Sequence, residues 1–524
     1  MSGDAPHLEW HPRHSPWAVA LGVMLATFMQ VLDTSIANIA LPHIAGSLSS
    51  STDESTWVLT SYLISNAIIL PMTGWLGNHF GRKRVFITCI GLFTVASALC
   101  GAALNLPMLI LARVLQGAGG GAMVPMAQAV MLESFPPQKR GVAMATFAQA
   151  VVVAPIIGPT LGGWITDNFS WRWIFYINLP VGILAIFLAA WLVEDPPYLQ
   201  RHREARIDFI GFGLLAIWLA TLQIVLDKGQ EADWFAAVWI RWFVAVSALA
   251  FVGFVIRELR VEQPLVNLRI LGSGNFRTGL LLMTVVGLIL YGTTAELPLF
   301  LQTLMGYPAL QSGLALSPRG AAAFVTTFFV GRLVGRIPLR IMLFIGFALL
   351  SLSSFLLGQI NLQVSMASVV LPTVLNGAAI SFIFVPLTTA TMSQLRQRDI
   401  GSGTGLYNLM LNLGGGIGIA FVTTAVARGA QAHQALMVGH LTPTDPAFVR
   451  GLALAQHALA RQSDPVTARD QACAIFYNLL DGQAHLWAFV DTFRIFGLLV
   501  LCCIPLIFLF RRVRHAPVIP AAEA

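Results

Sequence analysis

The residues best suited to chemistry are charged side chains placed inside long apolar runs. Asp33 lies in the apolar segment 32–42, and Arg113 lies in a second apolar run. A charge at bilayer depth costs a few kcal/mol and faces a partner or a wet cavity. Burial disfavours the charged form of a carboxyl group, whereas a nearby guanidinium favours it. A carboxyl group held between these two effects is suited to exchanging a proton during a transport cycle.

A second deep carboxylate is Glu296, in the segment 293–298. Two interpretations of it stay open, namely an acid that carries a proton and an acid near the outer interface that is simply solvated. Asp491 and Arg494 are three residues apart in the last apolar run. They share a helix face, so we expect them to pair in a structural role.

The elements that hold these residues must be membrane helices. The chain has 524 residues, of which 56% are apolar and 10% charged, against about 25% charged in an ordinary soluble domain. The mean hydropathy is +0.74. This composition excludes a soluble enzyme, a disordered protein and a nucleic-acid-binding module. Five scattered cysteines without a CxxC pair indicate neither a disulfide scaffold nor a metal site.

Fourteen apolar segments are long enough to span a bilayer. With the N-terminus inside, 21 of the 31 Lys and Arg residues fall on the cytoplasmic side, 7 on the outer side and 3 at membrane depth. This bias predicts that both termini are cytoplasmic. One long connection, 428–484, then lies outside. It contains two segments with helical signals, 447–462 and 466–480, and is interpreted either as a mobile loop or as a docking hairpin for a periplasmic partner.

The two parts of the chain repeat each other at an offset of 260 or 261 residues. The matching positions are Val114–Gly117 with Val374–Gly377, Val124 with Val385, Gly141 with Gly401, and Gly158 with Gly418. Two related halves in one membrane chain are typical of a transporter, because alternating access rocks one half against the other.

Three further segments resemble motifs of the major facilitator superfamily. The loop 74–84 resembles its loop signature through Gly74, Leu76, Gly81, Arg82 and Lys83. It departs from the signature at Asn78, where the family has an Asp that joins a charge network latching the cytoplasmic gate. Segment 113–121 resembles the motif that the family links to proton transfer. Segment 154–163 resembles the antiporter motif of its exporters, with Gly158, Pro159, Gly162 and Gly163 in place.

Segment 32–42 resembles the first-helix motif of the fourteen-helix drug:proton antiporters of the EmrB/QacA type, and the likeness is greatest to the EmrB branch. It extends through segments 171–180, 226–235 and 305–319. The resemblance implies an all-α polytopic membrane protein with the major facilitator fold, two six-helix bundles and two extra central helices. The implied division is 1–15 N-tail, 16–193 first bundle, 194–274 linker with the extra helices 208–226 and 237–256, 275–510 second bundle, and 511–524 C-tail.

The resemblance also implies proton-coupled efflux of amphipathic, hydrophobic or cationic toxic compounds across a bacterial inner membrane. Asp33, Arg113 and Glu296 would couple the proton, and the only cofactor would be the proton gradient. The expected partners are a periplasmic adaptor of the membrane-fusion type (EmrA-like) and an outer-membrane channel (TolC-like). Substrate contacts are expected among polar residues on the cavity-lining spans, each of which a helix–helix hydrogen bond also explains. They are Gln30, Asp33, Asn38, Tyr62, Tyr291, Asn376, Asn408 and Asn412.

Three alternatives remain at this stage. A dedicated exporter of one metabolite class, such as a siderophore or a fatty acid, fits the same sequence. A membrane-embedded enzyme needs convergent His, Asp, Ser or metal-ligand sets in its spans, and the sequence disfavours it because His79, His433, His440, His457 and His485 lie in loops or at span edges. A channel is disfavoured by the repeat.

Overall fold

The computed structural model describes residues 13–136, 139–195, 208–261, 264–396, 399–439, 441–461 and 463–510. The regular secondary structure of these residues is helical. Fourteen of their helical stretches are long and apolar enough to cross a membrane. The expected all-α membrane fold is therefore confirmed. The predicted tails lie almost wholly outside the described residues.

The first half contains six spans, of which the second, the fourth and the sixth are each made of two helices. Their bounds are α1 (Pro16–Ser47), α2 (Thr52–Ser55), α3 (Trp57–Ile69), α4 (Thr73–Phe80), α5 (Arg82–Gly101), α6 (Leu106–Gly121), α7 (Met123–Ser134), α8 (Arg140–Asn168), α9 (Trp173–Tyr176) and α10 (Asn178–Leu192). The break between α3 and α4 is a 3-10 turn around Pro71, which cannot donate a backbone hydrogen bond.

The second half repeats this arrangement after two extra helices. The extra helices are α11 (Phe209–Lys228) and α12 (Val238–Arg260). The remaining helices are α13 (Gly274–Thr303), α14 (Ala309–Leu333), α15 (Leu339–Leu357), α16 (Met366–Met392), α17 (Ile400–Val438), α18 (Pro446–Leu459) and α19 (Pro465–Cys503). In the first half α1 packs along α8 and α3 along α6, and in the second half α13 packs along α17 and α14 along α16. The same pairing in both halves agrees with the sequence repeat.

The extra helices and the turn between them contact both halves of the bundle. At the end of α11, Asp227 accepts a hydrogen bond from Thr60 of α3, and Lys228 Nζ donates to Thr56 Oγ1 at 2.9 Å. The turn that follows reaches α17, where Trp234 Nε1 donates to Thr424 Oγ1 at 3.0 Å. The two helices therefore flank the bundle as a hairpin and do not separate its halves.

The halves meet at the end of the bundle that carries the loop at Gly81, the start of α8 and the start of α17. We call this the basic end, because Arg and Lys residues cluster there. From this end α8 runs along α14 as far as a hydrogen bond from Gln149 Nε2 to the Phe324 carbonyl at 3.4 Å. The start of α17 packs against α4 and α7, and Asn408 Nδ2 donates to Gln128 Oε1 across the halves at 2.7 Å. The protein is therefore closed at its basic end.

The connection 428–484 differs from the mobile-loop interpretation of the sequence. Helix α17 continues to Val438, and α19 begins at Pro465 behind an Asp464 N-cap. Each has 39 residues, about 58 Å at 1.5 Å per residue, which is nearly twice the hydrocarbon thickness. Helix α18 folds back onto α19. The helical signals at 447–462 and 466–480 correspond to α18 and to the start of α19. The spans beside them were expected to stop where apolarity ends, but good helix-forming residues continue beyond that point.

Candidate functional site

The centre of the first half is a buried network around Asp33. One carboxylate oxygen of Asp33, Oδ2, accepts a hydrogen bond from Arg113 Nη1 at 2.8 Å. The other, Oδ1, accepts from Gln116 Nε2 at 2.9 Å and from Asn178 Nδ2 at 2.7 Å. Asp33 is 2% exposed and Arg113 is 0% exposed. The two residues that the sequence analysis expected to act together are thus in direct contact, brought together by α1, α6 and α10.

Arg113 is fixed by several groups besides Asp33. Its Nε donates to the Val58 carbonyl at 3.0 Å, and its Nη1 also donates to Gln116 Oε1 at 2.8 Å. Its guanidinium lies 4.3 Å from the centre of the Tyr62 ring, a favourable cation–π arrangement. Truncating one partner of such a buried pair leaves an uncompensated charge and is strongly destabilising. Adding a proton to Asp33 likewise removes the partner charge of Arg113, so the pair can link protonation to helix position.

Sequence reasoning missed two members of this network, Gln116 and Asn178. Gln116 lies one helical turn after Arg113, and Asn178 begins α10. Asn178 also donates to Ser97 Oγ at 3.0 Å, and Ser97 in turn donates to the Phe175 carbonyl at 2.9 Å. Both missed residues lie inside segments quoted for the family resemblance, and a polar amide in an apolar span was the available signal.

Glu296 lies in the interior of the second half. Its exposed fraction is 0%, and neither carboxylate oxygen has a hydrogen-bond partner among the described residues. The solvated alternative of the sequence analysis is therefore wrong. An ionised carboxylate buried without a partner costs several kcal/mol. Among the described residues, Glu296 thus lacks the hydrogen-bond donors that surround Asp33.

Asp491 and Arg494 form only a long contact, 3.9 Å between Arg494 Nη1 and Asp491 Oδ1. The closer partner of Asp491 is His433 of α17, whose Nε2 lies 2.9 Å from Asp491 Oδ2. Arg494 Nε donates to the Gly358 carbonyl at 3.1 Å. The expected contact between Asp491 and Arg494 is thus longer than the contacts that join these two residues to the helices beside α19.

The substrate candidates fall into buried and exposed groups. Gln30, Tyr62, Asn376 and Asn408 are buried, while Asn412 is half-buried and donates to the Asn408 carbonyl at 3.1 Å. Asn38 and Tyr291 are exposed. The Asn38 side chain donates to the Thr34 carbonyl of its own helix at 3.4 Å, and the Tyr291 ring lies against Gly415 of α17.

The gate residues lie at the basic end. Arg82 is buried and ion-paired with Glu133 of α7. Gly81 has a φ of +89°, a conformation that only glycine adopts readily, and the backbone N–H of Lys83 donates to Asp195 at 2.8 Å. Asn78 is half-buried. The Asp that the family signature carries at this position is thus replaced by a neutral side chain, four residues before the buried Arg82.

Two helix contacts depend on the motif glycines. A side chain at Gly74 would collide with Ser402 of α17, and one at Gly158 would collide with Ser35 of α1. Gly162 lies against Ile36, whereas Gly163 faces open space. The side chain of Pro159 lies outside the described residues. The antiporter-like segment therefore supplies a smooth surface against which α1 packs.

Comparisons with known proteins agree with this architecture. The model of the Major Facilitator Superfamily matches residues 23–419. The multidrug export protein EmrB of Haemophilus influenzae is 39% identical over 82% of this chain and 84% of its own. The fatty acid resistance protein FarB of Neisseria gonorrhoeae is 33% identical over 95% of this chain and 96% of its own.

A solved structure, that of the human organic anion transporter MFSD10, shares the fold with a TM-score of 0.61 at 13% identity, over 93% of this chain and 100% of that chain. Both the family model and the relatives cover most of the chain, and they indicate a transporter and not an enzyme. The chain therefore belongs to the major facilitator superfamily and, within it, to the group of EmrB-like multidrug export proteins.

Proposed function

We propose that this protein exports amphipathic, hydrophobic compounds across the bacterial inner membrane in exchange for protons. The observation that carries the proposal is the Asp33–Arg113 ion pair, buried in a bundle whose relatives are named as export proteins. In the proposed cycle, a proton that enters from the outer side neutralises Asp33. The loss of its partner charge then destabilises the position of Arg113 and favours the alternative arrangement of the helices.

Glu296 is proposed as a second proton-carrying acid in the other half. Its full burial without a described partner supports this role, because a charged carboxylate is costly there. The proposed substrate contacts are led by Asn38 and Tyr291, which are exposed within spans. The buried candidates, Gln30, Tyr62, Asn376 and Asn408, would contact substrate only after the helices rearrange.

The test uses purified protein in liposomes with an imposed pH gradient and a lipophilic cationic dye. Wild type is expected to accumulate dye against its gradient, and Asp33→Asn is expected to lose this accumulation. Asp491→Asn is the matched control, since it makes the same chemical change in a carboxylate outside the network. Accumulation by Asp33→Asn at the wild-type rate would show that Asp33 does not couple the proton.

We further propose that the protein works with a periplasmic membrane-fusion adaptor and an outer-membrane channel. The helical extension formed by the end of α17, by α18 and by the start of α19 supports this role. It exposes large apolar side chains, with exposed fractions of 72% for Leu436, 73% for Leu454 and 72% for Val466. Exposed apolar side chains of this kind are suited to protein contacts.

Deletion of 440–480 is expected to abolish capture of a co-expressed adaptor while leaving gradient-driven dye transport in liposomes intact. Capture that survives the deletion would remove the case for docking at this extension. The transport measurement checks that the shortened protein is still folded.

A second candidate function is export of a single class of fatty acids. The relative FarB, named for fatty acid resistance, matches 95% of this chain, against 82% for the EmrB of Haemophilus influenzae. A panel of competing substrates separates the two functions. Competition by fatty acids alone favours the narrow exporter, and competition by unrelated hydrophobic compounds favours multidrug export.

A further inference from the structure

Arg319 is a cation at membrane depth that the coupling network does not use. It lies ten residues into α14, about 15 Å along the helix, and is half-buried. Its Nη1 donates to Thr294 Oγ1 of α13 at 2.7 Å. Among the described residues, no carboxylate lies within 4.0 Å of its guanidinium. Glu296 follows Thr294 by two residues, about 200° around α13, so it points to the opposite side of that helix.

The backbone around Arg319 is held in place by two unusual contacts. Pro318 has no N–H to give to the Leu314 carbonyl, and Ser317 Oγ donates to that carbonyl instead, at 2.8 Å. On the other side, a Cβ added to Gly377 of α16 would lie 1.9 Å from the Arg319 carbonyl oxygen. Only a glycine permits this approach. The guanidinium thus projects from a fixed point of the helix.

The first half shows what is missing around Arg319. Gly117, the repeat counterpart of Gly377, lies in the same way against the Tyr62 carbonyl. Arg319 therefore occupies the place in the second half that Tyr62 occupies in the first. The cation of the first half, Arg113, is paired with the carboxylate of Asp33. The cation of the second half, Arg319, contacts the hydroxyl group of Thr294 instead.

We infer that Arg319, positioned by Thr294, binds the anionic head group, in particular the carboxylate, of an amphipathic substrate. A guanidinium at membrane depth gains most from a carboxylate, which can accept two parallel hydrogen bonds from it. The Thr294 hydroxyl donates to the Leu290 carbonyl and accepts from Arg319, so it positions the guanidinium. Tyr291, exposed one turn earlier on α13, offers an aromatic face to the apolar part of the substrate. This inference rests on the proposed export function and assigns carboxylates as its substrate class.

The test compares two ligands with the same chain, dodecanoate and dodecylamine. Equilibrium binding of each radiolabelled compound to purified protein is measured in detergent, without a gradient, at a pH where both head groups are charged. Arg319→Gln is expected to weaken dodecanoate binding at least about tenfold, the factor that corresponds to about 1.4 kcal/mol, and to leave dodecylamine binding within about twofold. Arg319→Lys should retain part of the dodecanoate affinity.

Thr294→Val is the second variant, since it preserves the shape of the side chain and removes only the hydroxyl group. It is expected to weaken dodecanoate binding selectively. Arg428→Gln, which removes an exposed arginine paired with Asp233, is the control and should bind both ligands as wild type does. Equal losses of both ligands in the Arg319 variants, unchanged dodecanoate binding, or a wild type that binds only dodecylamine would each overturn the inference. Because no gradient is present, failure of proton coupling would leave this measurement unaffected.

Discussion

Removing the charge of Arg113 alone should lower the free energy of unfolding more than removing the charges of Arg113 and Asp33 together. The two side chains are 0% and 2% exposed and lie 2.8 Å apart. Arg113→Leu leaves the Asp33 carboxylate buried with only the amide donors of Gln116 and Asn178. Breaking a buried pair in this way costs about 3–5 kcal/mol. The double variant Asp33→Asn with Arg113→Leu leaves no charge in the network. It should therefore lose less unfolding free energy than Arg113→Leu.

The double-mutant cycle gives this prediction a magnitude. The free energies of unfolding of wild type, both single variants and the double variant are measured in mixed micelles by denaturant titration. The double variant can lose less than Arg113→Leu only if the coupling exceeds the cost of Asp33→Asn alone. We therefore expect a coupling of about 3 kcal/mol, the upper end of the range found for residues of one hydrogen-bond network. Losses that simply add would show that the two charges do not stabilise each other, and the reasoning about the pair would then be refuted.

Three further predictions concern the gate, the packing and the extra helices. Glu133→Gln removes the charge that faces buried Arg82, so it should increase alkylation of a cysteine introduced at Ser402. Glu231→Gln, which changes an exposed carboxylate next to the extra helices, should not. Gly377→Val should destabilise the protein by about 1–3 kcal/mol through overpacking, whereas Gly163→Ala, which faces open space, should change the unfolding free energy by less than about 0.5 kcal/mol. Burial opposes the charge of Asp208, but the hydrogen bonds from Arg257 and from the Gly211 N–H outweigh it and hold the pKa of Asp208 below its ordinary value. The resulting stabilisation is present above the unfolded-state pKa and is lost as the pH falls through the lower folded-state pKa. The hydrogen-exchange protection factors at the start of α11 should therefore fall below about pH 4, and Asp208→Asn should abolish this pH dependence.

The spans were predictable from the sequence because each needs about 20 apolar residues, a requirement that composition shows directly. The contact between Asp33 and Arg113 was predictable from the sequence, because charges of opposite sign in apolar helices need partners. The extent of α17 and α19 was not predictable from hydropathy, because hydropathy reports on lipid contact and not on where a helix ends.

The surroundings of Glu296 and Arg319 depended on tertiary packing. The sequence placed both residues at membrane depth, but the side of each helix that faces a cavity is set by its neighbours. Gly377 is an example, since its role is to let α16 approach the Arg319 backbone, a contact between helices that no local sequence pattern shows. Asn178 joined the Asp33 network from 145 residues away in the chain, a distance over which no local pattern gives information.

The central claim, that Asp33 exchanges a proton as substrate binds, can be tested by proton release in weakly buffered detergent solution. A pH-indicator dye follows the addition of an exported substrate to wild type, Asp33→Asn and the control Asp491→Asn. The account predicts equal release of protons from wild type and from the control, and a smaller release from Asp33→Asn, which retains only Glu296. Equal release from Asp33→Asn and wild type would contradict it.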